Sequence, residues 1–86
     1  MQTKDQLINS FKEIDLGEYT MPIICIYNSP SDHQGMFVAR LFDVNQPTPV
    51  ILMRPSLDSI RKEIPERFSL VPKAAGEDAN IVESYI

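Results

Sequence analysis

Any catalytic chemistry in this chain would have to start from the loop sequence NSPSDHQG, which contains its only histidine. Ser31, Asp32 and His33 are residue types that supply a nucleophile, an orienting carboxylate and a base, and Ser29 lies close by. Neighbours in one loop cannot hold these groups in the line that proton relay requires. Their side chains are instead typical of a turn, where Ser and Asp bond nearby backbone. We therefore predict no catalytic residue.

Metal and cofactor chemistry has no better support. The single cysteine, Cys25, and the single histidine, His33, fall short of the four ligands that a structural zinc site needs. Glu77 and Asp78 lie in a predicted loop without calcium-loop spacing, and the three glycines form no phosphate-cradling motif. Cys25 lies in an isoleucine-rich run, which favours a buried hydrophobe over a reactive thiolate. We predict neither a metal nor a cofactor.

Composition predicts one small globular domain that spans residues 1–86. A chain of 86 residues is too short for two domains. With 43% hydrophobic and 23% charged residues, its composition is that of a folded protein rather than a disordered one. No apolar run reaches the roughly 18 residues of a membrane span, and MQTKDQ lacks the apolar stretch of a signal peptide. A lone cysteine cannot form an internal disulfide. These features predict a cytoplasmic protein with no membrane partner.

The net charge of −4 argues against a general nucleic-acid binder, because displacing counterions from phosphates requires clustered cations. The charge is unevenly distributed, since residues 54–73 hold five cations and three anions, or +2, and the remainder carries −6. One interpretation is a solvated helix face, on which Asp58 pairs with Arg61 or Lys62. The other is a partner-facing surface, for which the candidate residues are Arg54, Arg61, Lys62, Arg67, Tyr85 and Ile86.

Three strands are predicted in the first half of the chain. Apolar residues alternate over 36–43 and again over 50–53, with a proline-marked turn between the two runs, which is the period of strands with one buried face. In MPIICIY, over 21–27, apolar residues occupy both faces and indicate a strand covered on both sides. The proline in this run belongs at the strand's start or on an edge. A hairpin loop follows, with Gly35 placed for a positive φ.

One helix is predicted after these strands, with Ser56 as its N-cap. Apolar residues at 57, 60 and 64 form one stripe, and Pro65 ends the helix. Residues 66–80 have few apolar anchors and indicate an ordered loop, whereas 81–86 alternates again as a last strand.

The region 4–16 fits two alternatives. Thr3 and Gln6 suit a capping box for a short helix through Phe11. Alternation over 12–16 suits instead a strand that ends at Gly17. The complete outline is an α+β fold, with a small antiparallel sheet of about three to four strands and one short helix packed on one face, in the order β-β-β-α-β. An extra N-terminal helix or strand precedes it.

Three segments of this outline form one pattern within residues 22–64. They are the strand PIICI that starts at Pro22, the strand GMFVARLFD that starts at Gly35 and the helix start SLDSI at Ser56. This pattern resembles the truncated ribonuclease-H-like domain of HicB-type antitoxins. The resemblance implies a small α+β domain that neutralises a toxin by binding it.

Two classes of function follow. The first is a non-catalytic protein-interaction module that engages a protein partner, or a second copy in a homodimer, through an open sheet edge or the last strand, with antitoxin-like neutralisation as its sharpest form. The second is a small enzyme or enzyme subunit whose site forms at an oligomer interface from Asp32, His33 and Arg40. We predict the first, because the sequence contains no dedicated polar constellation. The apolar end at Tyr85 and Ile86 predicts that 81–86 pairs with its own sheet or with a second copy.

Overall fold

A computed structural model describes residues 6–28, 35–44, 46–71 and 81–86. Its strands are β1 (Gln6–Leu7), β2 (Pro22–Asn28), β3 (Phe37–Asp43), β4 (Gln46–Arg54), β5 (Leu70–Val71) and β6 (Ile81–Tyr85). They form one sheet in the order β1-β4-β3-β2-β6-β5. Helix α1 (Leu57–Arg61) and a 3-10 helix (Leu16–Glu18) complete the described elements. None of the described helices is long and apolar enough to cross a membrane.

The predicted fold class is wrong in the size and type of the sheet. The protein is sheet-rich, with six strands in place of three to four, and the sheet is mixed because β1 runs parallel to β4. The other neighbouring strands are antiparallel. Strand β1 lies earlier than the N-terminal strand considered at 12–16, and β5 was not predicted. Each has two residues, which is too short for alternation to show in a sequence.

The centre of the sheet follows the predicted strands closely. The β2 and β3 strands pair along their whole length, from Pro22 opposite Asp43 to Asn28 opposite Phe37. The proline stands at the first residue of β2, where a missing N–H costs little. Gly35, before β3, has the predicted positive φ of 80°. The predicted strands over 21–27 and 36–43 are therefore confirmed.

The β4 strand begins earlier than predicted, because the segment taken as a turn is its first part. Asp43 already pairs with Gln46, so the connection from β3 is a tight hairpin, and Val44 adopts a φ of 51° there. Pro47 and Pro49 are accommodated because β1 covers the outer side of β4 only at residues 50 and 51.

Both alternatives for region 4–16 are wrong. The chain leaves β1 at Leu7, crosses to the core side as turns and irregular backbone, and forms the 3-10 helix at 16–18. This irregular path lets Phe11 and Leu16 both insert into the core, the second of them from the 3-10 helix. Asp15 caps the 3-10 helix through the N–H of Gly17. Thr3, one end of the predicted capping box, lies outside the described residues.

The predicted cap of α1 is confirmed, because the Ser56 hydroxyl accepts from the N–H of Ser59 at 3.2 Å. The helix is shorter than predicted and ends at Arg61. Turns replace its last part, yet Ile64 still reaches the core. Ile60 is fully buried, and α1 lies against β3 and β4.

The core occupies one face of the sheet, between the strands and the two helical elements. Its buried members are Phe11, Leu16, Ile24, Ile26, Ala39, Leu41, Val50, Leu52, Ile60, Ile64 and Phe68. Val38 and Ile51 are also buried, but on the opposite face. For the strand over 21–27, which was predicted to be covered on both sides, full burial is found on the core face alone, and the other face of β2 is half-buried.

Candidate functional site

A polar cluster joins α1 to β6 on the core side of the sheet. Arg61 donates from Nε to Oε1 of Glu83 at 3.1 Å and from Nη2 to Oε2 of the same carboxylate, which makes the ion pair bidentate. The Tyr85 hydroxyl donates to Glu83 Oε1 at 2.9 Å. Asp58, one turn earlier on α1, lies 3.4 Å from Arg61 Nη1. One carboxylate therefore fixes both a guanidinium and a phenol.

The sheet register places these side chains together. In β6, Glu83 lies opposite Ile26 and Tyr85 opposite Ile24, so both project to the face that contains the core. Helix α1 lies over the same face and buries Ile60, and Arg61 at the end of the helix then reaches β6. The cluster therefore connects α1 to β6.

The pKa values of Arg61, Glu83 and Tyr85 are all displaced away from neutral pH. The hydrogen bonds from Arg61 lower the pKa of Glu83 below its ordinary 4.5. Burial, followed by the hydrogen bond to Glu83, raises the pKa of Tyr85 above its ordinary 10.0. The hydrogen bond to Glu83 also raises the pKa of Arg61. A general acid or base works best with a pKa near the operating pH, so these shifts suit recognition rather than proton transfer.

An apolar edge lies beside this cluster. The leucine of β5, Leu70, is opposite Tyr85 and is 54% exposed, and Ile86 after β6 is 56% exposed. Ser69 and Ile86 exchange two backbone hydrogen bonds, at 2.8 and 3.0 Å, which extend the β5–β6 ladder by one pair. We call this surface the β5 corner and define it by Arg61, Leu70, Glu83, Tyr85 and Ile86.

The β5 corner unites three of the six residues predicted to face a partner. Arg61, Tyr85 and Ile86 belong to it. The remaining candidates are spread over other parts of the structure and are Arg54, Lys62 and Arg67. The Arg54 guanidinium donates to the Asn9 carbonyl, and the Arg67 guanidinium lies 5.4 Å from the Phe68 ring centroid. Lys62 is exposed at the C-cap of α1. That any of the six contacts a partner stays a prediction.

Two members of the corner were not among the predicted site residues. Glu83 could have been found, because alternation in 81–86 puts it on one face with Tyr85. Its pairing with Arg61, 22 residues away, depends on tertiary structure that alternation does not report. Leu70 gave no signal, because it lies in a segment predicted to be a loop.

Of the residues of the enzyme alternative, Arg40 is the one that the structure describes. Arg40 lies on the face opposite the main core, directly across from Cys25, and donates to the Thr48 carbonyl at 2.7 Å. Cys25 is half-buried, and the Ser84 hydroxyl lies 3.6 Å from its Sγ. Asp32 and His33, together with Ser29 and Ser31, lie outside the described residues. Within the described ranges, no group of three His, Cys, Asp or Glu side chains is placed to hold a metal ion.

Comparison of this chain with protein-family models, curated proteins and solved structures finds no match in any of the three. The resemblance to HicB-type antitoxins therefore stays a prediction, and the properties of the residues themselves carry the functional argument.

Proposed function

We propose that this protein is a non-catalytic protein-interaction module that binds its partner through the β5 corner. The observation that carries the proposal is the position of Arg61, which is half exposed yet held by a bidentate contact to Glu83, on the face of the sheet where the exposed Leu70 lies opposite Tyr85. Leu70 and Ile86, which project to opposite faces of the same edge, are among the most exposed large hydrophobic residues of the described chain.

Such a surface is suited to binding because its long side chains are already ordered. Immobilising a flexible side chain at an interface costs roughly 0.5 to 1.5 kcal/mol, and Glu83 removes much of that cost for Arg61 and Tyr85 before a partner arrives. Arg and Tyr are enriched where binding energy concentrates, usually beside apolar residues that exclude water. The corner combines an ordered arginine, an ordered tyrosine and an apolar edge.

The charge states of the cluster also favour binding over catalysis. Glu83 and Tyr85 have pKa values displaced away from neutrality, so neither is poised to exchange a proton with a substrate near pH 7. The bidentate pair of Glu83 and Arg61 instead holds both side chains in one arrangement, which gives the surface a fixed shape and a fixed pattern of polar groups.

Neutralisation of a toxin is the sharpest form of this proposal, and it rests on the resemblance over residues 22–64. It predicts that a gene beside this one encodes a small basic nuclease. Expression of that neighbour alone should stop growth, and co-expression with this protein should restore it.

The general proposal is tested by affinity capture from the source cells with two matched variants, followed by calorimetry on the purified pair. Leu70→Lys introduces a charge into the β5 corner, and Leu7→Lys does the same at a leucine that is 59% exposed on the other edge of the sheet. A partner should bind the wild type and Leu7→Lys equally and lose at least roughly tenfold in affinity for Leu70→Lys, which is about 1.4 kcal/mol. Equal binding by all three proteins would contradict the proposed surface.

A further inference from the structure

The hydrogen bonding of β5 leaves one residue facing outward. In an antiparallel ladder, pairs that exchange both backbone hydrogen bonds alternate with pairs that exchange none. Ser69 and Ile86 exchange both bonds, so Leu70 and Tyr85 form a pair without them, and Val71 with Ser84 is again a bonded pair. The N–H and C=O groups of Leu70 therefore point away from β6, toward the free side of the last strand in the described sheet.

From this geometry we infer that the β5 corner receives the β5 strand of a second copy of the chain. The inference rests on the proposed function and names the partner. Two antiparallel β5 strands related by a two-fold axis would place Leu70 opposite Leu70, with each N–H donating to the other's carbonyl. One isologous contact satisfies both copies and joins two six-stranded sheets into one.

Apolar contact accompanies these backbone bonds. The two Leu70 side chains lie on the same face of the joined sheet, because directly opposite residues project to the same side. Each is 54% exposed in the single chain and borders Tyr85 of its own β6. In the two-fold dimer, the exposed Leu70 of one copy would pack against Leu70 of the other, with the half-buried Tyr85 of each copy beside them. This contact would remove apolar surface from water on both copies.

The distribution of charge favours self-association at this part of the molecule. The whole chain carries −4, so a randomly chosen contact between two copies brings like charges together. Residues 58–67, which lead from α1 toward β5, hold three anions and three cations. They are Asp58, Glu63, Glu66, Arg61, Lys62 and Arg67. The β5 corner itself contains one cation, Arg61, and one anion, Glu83, which pair with each other, so it presents no net charge to a second copy.

The size of the contact sets its strength. The β5 strand has two residues, and a short edge strand limits the number of added hydrogen bonds. Contacts that bury less than about 1,200 Å² in total belong to weak and transient complexes. The dimer is therefore a reversible one, populated at high protein concentration and dissociated on dilution.

The test is sedimentation of the full chain from roughly 10 μM to roughly 1 mM, the range in which weak contacts associate. Wild-type protein should move from the monomer mass toward twice that mass. Leu70→Pro removes the outward N–H and leaves the β5–β6 bonds of Ser69 and Val71 in place, so it should remain monomeric throughout. Leu7→Pro is the matched control, because the bond from the Ile8 N–H to the Ile51 carbonyl turns the N–H of Leu7 away from β4.

Amide hydrogen exchange gives a second measurement that does not depend on the proline variant folding. Protection of the Leu70 amide should rise with concentration, while that of Leu7 should not. The inference is overturned if the wild type stays monomeric to the highest concentration, if Leu7→Pro rather than Leu70→Pro abolishes the dimer, or if Leu70 protection is independent of concentration. A monomeric protein whose Leu70→Lys variant loses a different protein partner would overturn the dimer and leave the proposed function standing.

Discussion

The central strands β2, β3 and β4 and the β5 corner are held by different forces. In the centre, long antiparallel ladders carry Ile24, Ile26 and Leu41 into a core from which water is excluded. At the corner, β5 contributes two residues, and an ion pair with a tyrosine hydroxyl joins the helix to β6. Apolar burial supplies most of the free energy of folding, whereas exposed ion pairs supply little.

Under the proposed function, this difference separates the residues that stabilise the domain from those that bind a partner. Substitutions in the centre should change the free energy of unfolding, because they leave cavities in close-packed surroundings. Substitutions of exposed residues at the corner should leave the fold intact and change what the surface binds. Variants of the two regions, compared in the same assays, test whether this division holds.

Removal of residues 81–86 should have the largest effect. The β6 strand lies between β2 and β5, so its loss exposes one side of β2 and leaves β5 without a neighbour. Domains of this size have a stability of about 5 kcal/mol, and a lost interior strand exceeds that. Near-ultraviolet circular dichroism should show no fixed tertiary structure, whereas removal of Ile86 alone should leave a folded protein. A cooperative melt of the chain without 81–86 would contradict this interior position for β6.

Ile60→Ala should have the second largest effect. Ile60 is fully buried under α1, and truncation of such a side chain costs roughly 2 to 5 kcal/mol. Leu70→Ala removes a similar side chain from the β5 corner and should cost less than about 0.5 kcal/mol in dilute solution. Urea denaturation of both variants measures the contrast. Similar losses in the two would show that the corner is part of the stabilising core.

Local sequence patterns were sufficient to locate the elements that contribute most to the core. Alternation identified β3, part of β4 and the last strand, a continuous apolar run identified β2, and the cap at Ser56 marked the start of α1. These signals are local, since a strand of five to seven residues and a capping side chain are visible in a single window. Prediction of Arg61 and Tyr85 as surface residues of interest came from charge and from the apolar C-terminal segment.

The rest of the fold depends on contacts between distant residues. Pairing of β1 with β4 joins residues 44 positions apart, and each of the two edge strands is too short to alternate. The irregular path before β2 is set by burial of Phe11 and Leu16, which no local period describes. The Arg61–Glu83 pair likewise requires knowledge of which face of β6 lies under α1.

Val44→Asn should increase stability by on the order of 1 kcal/mol, which makes it the third effect in size. Val44 has a φ of 51° in the hairpin between β3 and β4, a conformation that a β-branched residue disfavours and that Asn accepts. Its side chain is 50% exposed, so little burial is lost. The midpoint of urea denaturation should rise for Val44→Asn and not for Val44→Ala, because alanine also disfavours a positive φ. An unchanged midpoint for Val44→Asn would show that the centre carries no strain at this turn.

Glu83→Gln should have the smallest effect on stability and a distinct dependence on pH. The pKa of Glu83 is lowered in the folded protein, chiefly by the hydrogen bonds from Arg61, so its contribution is present above the ordinary pKa of 4.5 and is lost as the pH falls through the lowered value. At pH 7 the variant should lose less than about 1 kcal/mol, as expected for a partly exposed ion pair. Below pH 4.5 the stabilities of wild type and variant should converge.

Glu66→Gln, at an exposed position before Arg67, is the control and should differ little from wild type at pH 7. A gap between wild type and Glu83→Gln that stays constant down to pH 3 would show that the carboxylate contributes shape rather than charge to the β5 corner.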